Sequence, residues 1–117
     1  MESDVQLYGG LAYIAVFIVL AYYFKKKPPK QINWIYGYRT RRSMANQEVW
    51  DAANAYWTSI FYRWQWYFLL FPLIVFLLFP DYNFIVTVIA HSLLIICTMP
   101  ATEIYLDKNF DKNGNPK

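Results

Sequence analysis

One stretch of the chain, from Asn33 to Trp57, combines polar, aromatic and cationic side chains in a pattern suited to recognition chemistry. Arg39 carries a permanent positive charge on a planar fork of donors, which suits a carboxylate or a phosphate. Gly37 lets the backbone turn sharply or approach a ligand closely. We therefore predict a binding site for a ligand or a partner in this stretch. Its predicted residues are Asn33, Gly37, Tyr38, Arg39, Thr40, Ser43, Trp50 and Asn54.

Each of these residues also has a purely structural interpretation. For Arg41 and Arg42 anchoring to lipid phosphates is favoured, because basic residues routinely flank membrane spans. For residues 37–40 recognition and a simple anchored turn both stay open. Trp50 and Asn54 lie one helical turn apart and would face the loop together, but packing of Trp50 against the bundle is the favoured interpretation.

Catalytic and metal-binding patterns are missing from the sequence. It contains no His-x-x-x-His or Cys-x-x-Cys spacing, no phosphate-binding glycine loop and no Gly-x-Ser-x-Gly elbow. The single Cys97 has no second cysteine with which to pair. We expect no enzyme, no catalytic residue, no metal site and no cofactor. A hydrolase using Ser43 with Glu48 or Asp51 is the alternative, but nothing distinguishes those acids from a solvated helix face.

The elements that must position the site are membrane spans. Hydrophobic residues make up 57% of the 117 residues and arrive in blocks. The first block, Leu7 to Phe24, is free of charge and would rise about 27 Å as a helix, close to the roughly 30 Å of a hydrocarbon core. Two more blocks, 61–79 and 84–99, are separated by a short turn at 80–83. The fold class predicted is an all-α integral membrane protein with three transmembrane helices.

Between the first and second spans we predict a cytoplasmic amphipathic helix that begins after Ser43, a suitable N-cap. Pro72 predicts a kink near Phe68, and Pro100 predicts the end of the third span. The predicted organisation is residues 1–24 for the outer segment and first span, 25–60 for the loop and amphipathic helix, 61–100 for the hairpin, and 101–117 for a cytoplasmic tail.

Charge placement predicts the orientation. All eleven Lys and Arg residues fall on one side of a three-span arrangement, and by the positive-inside bias that side is the cytoplasm. The N-terminus is then outside and the C-terminus cytoplasmic. The basic pI of about 9.0 follows from this topology, so we expect lipid headgroups rather than nucleic acid as partners. A cleaved signal peptide is disfavoured because the acidic residues precede the first block and the lysines follow it.

Two further residues stand out. His91 lies mid-span in the third helix, where an ionisable group predicts either a proton-sensitive contact or a neutral polar link to another helix. Glu103 follows Pro100 and is predicted to pair with Arg39 or Arg63, which would tie the tail to the loop.

The residues from Gln31 to Gly114 resemble the SdpI family of bacterial membrane proteins, named for an immunity protein against a secreted killing peptide. The resemblance rests on Asn33, on Gly37-Tyr38-Arg39-Thr40, on Ser43-Met44, on Trp50 with Ala53-Asn54, and on Thr102-Glu103. It implies a protein of the bacterial inner membrane that protects against a membrane-active peptide toxin, or reports it to a cytoplasmic regulator. The founding protein has additional spans before this module.

Two other functions remain open. An accessory subunit of a larger membrane complex would use the spans and their aromatic belts as a packing surface for a membrane protein partner. A small transporter or channel would use His91, but three spans cannot easily enclose a path without an oligomer.

Overall fold

Three helical segments form an elongated bundle of 53 × 23 × 19 Å in a computed structural model that describes residues 2–33 and 35–117. The helices are α1 (Ser3–Lys26), α2 (Gln47–Phe68), α3 (Phe71–Leu78) and α4 (Asn83–Asn109), with a 3-10 turn at Pro80–Tyr82. Three segments are long and apolar enough to cross a membrane: α1, α2 with α3, and α4 with its preceding turn. The predicted all-α fold with three spans is confirmed. Met1 and Trp34 lie outside the described residues.

Helix α1 is bounded by charges that complement its dipole. Asp4 lies in its first turn and Lys25 and Lys26 in its last. The helix ends at Lys26, two residues before Pro28-Pro29, because a proline excludes the helical conformation of the residue before it and offers no N–H.

Helix α2 runs from the end of the loop into the second span without a break. Residues 47–60 are the first part of the continuous helix α2, and their apolar face packs on the loop and on the neighbouring helices. The predicted Ser43 N-cap is wrong, because Asn46 caps α2 by accepting a hydrogen bond from the Val49 N–H at 2.9 Å. Ser43 instead lies in a preceding turn.

Pro72 breaks the second span as predicted. Helix α2 ends at Phe68 and α3 starts at Phe71, since Pro72 has no N–H to give to the carbonyl of Phe68. Close to the break, the buried Asn83 side chain donates to the Pro72 carbonyl at 3.0 Å. Thr87, one turn further along α4, donates in turn to Asn83 at 3.0 Å.

Pro100 does not end the third span. Helix α4 continues through Pro100 to Asn109, so the first residues of the predicted tail are helical. Near the proline two threonine hydroxyls bond to carbonyls of the same helix: Thr98 donates to Ile95 O and Thr102 to Thr98 O. The chain then folds back as a hook, in which Phe110 and Pro116 form an isolated bridge.

A cluster of buried apolar residues lies at one end of the bundle. A small core of Tyr38, Val49, Ala53, Leu106 and Phe110 joins the loop, α2, α4 and the hook. We call this the basic end, because all lysines and arginines lie on the loop and chain-end side of the three spans. Along the spans many large apolar side chains are exposed, as expected of helices that face lipid.

Candidate functional site

The loop before α2 is fastened to that helix by Asn54. Its buried side chain accepts a hydrogen bond from the Tyr38 N–H at 2.6 Å and donates to Trp50 O at 3.1 Å and Tyr38 O at 3.4 Å. One amide thereby satisfies both backbone groups of Tyr38, which could not otherwise be buried at low cost. Asn54 thus fixes the position of the Gly37-Tyr38-Arg39-Thr40 motif.

Gly37 is required by the conformation and by the space of this loop. Its φ of +104° is one that L-residues rarely adopt. A Cβ at this position would lie 2.4 Å from Pro29 Cγ and 2.7 Å from Asn54 Oδ1. Pro29 is itself held, because the buried Trp50 indole donates to its carbonyl at 3.0 Å. Trp50 therefore has the predicted packing role and also a defined hydrogen bond.

Tyr38 links the loop to α4. Its hydroxyl donates to Glu103 Oε2 at 2.6 Å and lies 3.2 Å from Met99 O, while Thr40 donates to the same Glu103 oxygen at 3.4 Å. Glu103 does tie helix and loop together, but through hydroxyl groups. In the described part of the chain the ion pair that forms is Arg42 with Asp107, rather than a pair of Glu103 with Arg39 or Arg63.

Burial raises the pKa of the Tyr38 hydroxyl above its usual range, and the bond to Glu103 raises it further. The folded protein therefore retains the phenol proton at a pH where the unfolded chain releases it. The stabilisation is complete below about pH 10, the ordinary tyrosine pKa, and is lost as the pH rises above that value.

We expect Tyr38→Phe to reduce the slope with which thermal stability falls above about pH 10, and to cost about 1–2 kcal/mol at neutral pH by leaving Glu103 with fewer donors. Melting curves of the purified protein across this pH range measure both effects. Tyr105→Phe is the matched control, since Tyr105 stacks on Tyr56 with ring centroids 4.2 Å apart through a face that phenylalanine retains. Equal slopes for the two variants would contradict the assignment.

Two short turns shape the rest of the motif. Asn33 Oδ1 accepts from the N–H groups of Ile35 and Tyr36 at 2.9 and 2.7 Å, an Asx turn. Ser43 accepts from the Thr40 N–H at 2.8 Å, and its own N–H donates to Thr40 Oγ1 at 3.1 Å. Ser43 Oγ also donates to Tyr38 O at 3.0 Å. These side chains hydrogen-bond to the backbone of the loop and hold its turns in shape.

The predicted site residues are thus separated into two groups. Asn33, Gly37, Tyr38, Ser43, Trp50 and Asn54 hold the loop in shape. Arg39 is exposed and Thr40 half-buried, and both line open concave surfaces at the basic end. Recognition chemistry is consequently available at the rim of the motif, whereas its centre is structural.

Arg42 has a role that the sequence did not predict. Its guanidinium pairs with Asp107 and donates to Phe110 O at 2.9 Å, so that it holds the hook against α4. Asn46 continues this contact by donating to Gly114 O at 3.0 Å. This role of Arg42 could not be predicted from the sequence, because a basic residue beside a span is equally consistent with a lipid anchor.

His91 lies fully buried in a polar contact between all three spans. The Tyr13 hydroxyl is 3.1 Å from Nδ1, and Gln65 Oε1 is 2.6 Å from Nε2. A neutral ring that accepts from Tyr13 and donates to Gln65 satisfies both distances. The sequence left two interpretations of His91 open. For one of them, the polar link between helices, the structure provides Tyr13 and Gln65 as the partners. Tyr13 and Gln65 were missed, although Gln65 is a lone amide near the end of an aromatic stretch.

Comparison of the chain with known proteins gives three results. No solved structure matches the chain. A Bacillus subtilis (strain 168) protein described as uncharacterized protein YfhL is 50% identical over 52 residues, a match covering 44% of this chain and 43% of that protein. The chain thus matches less than half the length of this relative. The model of the SdpI/YfhL protein family matches residues 30–102, which include the loop motif, α2, α3 and most of α4. The chain is a multi-pass membrane protein that belongs to the SdpI/YfhL family.

Proposed function

We propose that the protein is a membrane immunity or signalling protein, which protects the cell against a membrane-active peptide toxin or reports its presence to a cytoplasmic regulator. The proposal assigns it no catalytic activity and no nucleic-acid partner. The single observation that carries it is the family match over residues 30–102, because those residues form one connected unit of loop and spans. It extends the SdpI-type activity to a chain that aligns with less than half of its relative.

The contact of Tyr38 with α4 suggests how such a report would work. Tyr38 is bonded to Asn54 of α2 through its backbone and to Glu103 of α4 through its hydroxyl. A peptide that alters the packing of α2 on α4 would therefore move or release the loop that carries Arg39. In this proposal the spans meet the peptide and the exposed rim of the loop signals or recruits.

Deletion of the gene, followed by challenge with membrane-active peptides, tests the proposal. We expect greater sensitivity, or altered expression of a co-regulated operon, and restoration by the wild-type chain. Tyr38→Phe should restore less than the matched Tyr105→Phe variant at equal protein level. Unchanged sensitivity together with unchanged expression of co-regulated genes would refute both the immunity and the signalling role.

The orientation is part of the same proposal: the basic end faces the cytoplasm of a bacterial cell and the N-terminus lies outside. In a Cys97→Ser background, Asp81→Cys places a thiol in the exposed turn opposite the basic end, and Ala45→Cys places one in the exposed loop. We expect a membrane-impermeant maleimide to label Asp81→Cys in intact cells, and Ala45→Cys only after permeabilisation. The reverse order of labelling would invert the topology.

A second candidate function is that of an accessory subunit. An apolar concave surface of about 590 Å³ lies at the break between α2 and α3, lined by Trp64, Tyr67, Phe68, Leu70, Phe71, Ile74 and Leu94. Such a surface would accept a transmembrane helix of a partner protein. Purification in a mild detergent separates the two functions, because an accessory subunit should retain a defined partner in fixed ratio.

A further inference from the structure

Two open concave surfaces meet at Thr40. One, which we call the groove, runs between the loop and the end of the apolar part of α4; it measures about 250 Å³ and includes Trp57, Ile95, Ile96 and Met99. The other, the basic pocket, measures about 690 Å³ and includes Arg41, Arg42, Glu103 and Lys112. A largely apolar surface and a polar, charged surface therefore lie side by side and share Thr40.

The basic pocket has a positive balance of charge. Arg41 and Lys112 are exposed, and neither forms an ion pair within the part of the chain that the structure describes. Arg42 pairs with Asp107 and donates to Phe110 O. It therefore adds to the positive potential of the pocket but has few N–H groups left for a ligand. Glu103 is the acidic group of the lining, and its Oε2 is engaged by the hydroxyls of Tyr38 and Thr40. The pocket therefore offers two cations to an incoming anion.

The depth of the two surfaces is set by α4. Ile96 and Met99 are 58% and 49% exposed, as expected for side chains in contact with lipid. Glu103 follows Met99 by four residues, or about 6 Å along the helix. The groove accordingly lies at the edge of the hydrocarbon layer and the basic pocket at the level of the headgroups, where phosphate is the abundant anion.

We propose that the groove and the basic pocket together bind one anionic phospholipid. The phosphate contacts the Arg41 guanidinium, whose fork matches phosphate oxygens, and the Lys112 ammonium. The first part of an acyl chain lies in the groove against Ile96 and Met99. A lipid is favoured over a soluble phosphate because only a lipid occupies both surfaces. This is a single defined site, distinct from general attraction of lysines to a membrane surface.

Native mass spectrometry of the full chain in a mild detergent tests the proposal, with phosphatidylglycerol, phosphatidylcholine and inorganic phosphate as separate probes. We expect one phosphatidylglycerol bound per chain, and about tenfold weaker binding to the double variant R41Q/K112Q. K25Q/K26Q is the matched control, because it removes two exposed cations at the end of α1 outside the pocket. It should bind as the wild type does.

Each other result counts against the site. Equal losses in both double variants would show general electrostatic attraction, and phosphatidylcholine binding as tightly would remove the role of the anionic headgroup. Binding of inorganic phosphate at the affinity of the lipid would show that the groove contributes nothing. If R41Q/K112Q does not fold, the single variant Lys112→Gln, changed at an exposed residue after α4, should lose about threefold, and an unchanged affinity would overturn the proposal.

Discussion

Replacing Gly37 with alanine should detach the loop from the bundle and destabilise it by about 3 kcal/mol or more. The new Cβ would lie 2.4 Å from Pro29 Cγ and 2.7 Å from Asn54 Oδ1, at a φ of +104°. Neither neighbour can move freely, since Trp50 holds the Pro29 carbonyl and Asn54 holds the Tyr38 backbone. Hydrogen exchange of the Tyr38 amide measures the opening directly, and thermal melting measures the loss of stability.

The same chemical change in a helix provides the control. At Gly9 in α1 a Cβ would lie 3.1 Å from Cδ1 of Phe84, a ring that is 39% exposed and can shift. Alanine also has the higher helix propensity, by about 1 kcal/mol, so Gly9→Ala should be close to neutral. If the two alanine variants exchanged and melted alike, Gly37 would not be the constraint on the loop that its geometry indicates.

Replacing His91 with alanine should cost about 3–5 kcal/mol of unfolding free energy, the second large effect. The change empties a site walled by aromatic rings, with the Phe17 centroid 4.5 Å and the Tyr13 centroid 5.1 Å from the imidazole. It also leaves the Gln65 carbonyl and the Tyr13 hydroxyl without their partner where water is scarce. Unfolding in mixed detergent micelles measures the loss.

A neighbouring residue and a double variant distinguish this effect from a general loss of packing. Ser92 is exposed and bonds to Val88 of its own helix, so Ser92→Ala should change stability by less than about 0.5 kcal/mol. His91→Phe keeps an aromatic ring but leaves the Gln65 side chain without its hydrogen-bond partner. Adding Gln65→Leu should recover part of the lost stability, because an apolar pair needs no hydrogen bond. A double variant less stable than His91→Phe would refute the polar link.

The apolar blocks alone predicted the fold. A span must satisfy every backbone group internally, so an uncharged run of eighteen residues has one structure available to it. The break at Pro72 was equally predictable, since a missing N–H acts locally. Pro100 shows the limit of the same rule, because α4 continues past this proline to Asn109. Beyond the proline, Glu103 bonds to Tyr38 of the loop, a contact that the local sequence does not identify.

The motif of the candidate site was visible in the sequence, but the division of its roles was not. Residue types and spacing predicted that one site contains Gly37, Tyr38, Arg39, Trp50 and Asn54. A buried asparagine that clamps backbone and an asparagine that binds a ligand look identical in sequence, because both need the same amide. Only contacts 16 residues apart, such as Asn54 to Tyr38, assign the first role.

The sequence by itself determined the helical class, the three spans and the position of the lysines and arginines on one side of the spans. All three properties depend on the composition of short contiguous stretches. The tertiary structure decided which polar groups meet. Tyr13 and His91 are 78 positions apart and Tyr38 and Glu103 are 65 apart, yet each pair is within hydrogen-bonding distance. Such pairs follow from how the helices and the loop pack against one another, which is a property of the tertiary structure and not of the local sequence pattern.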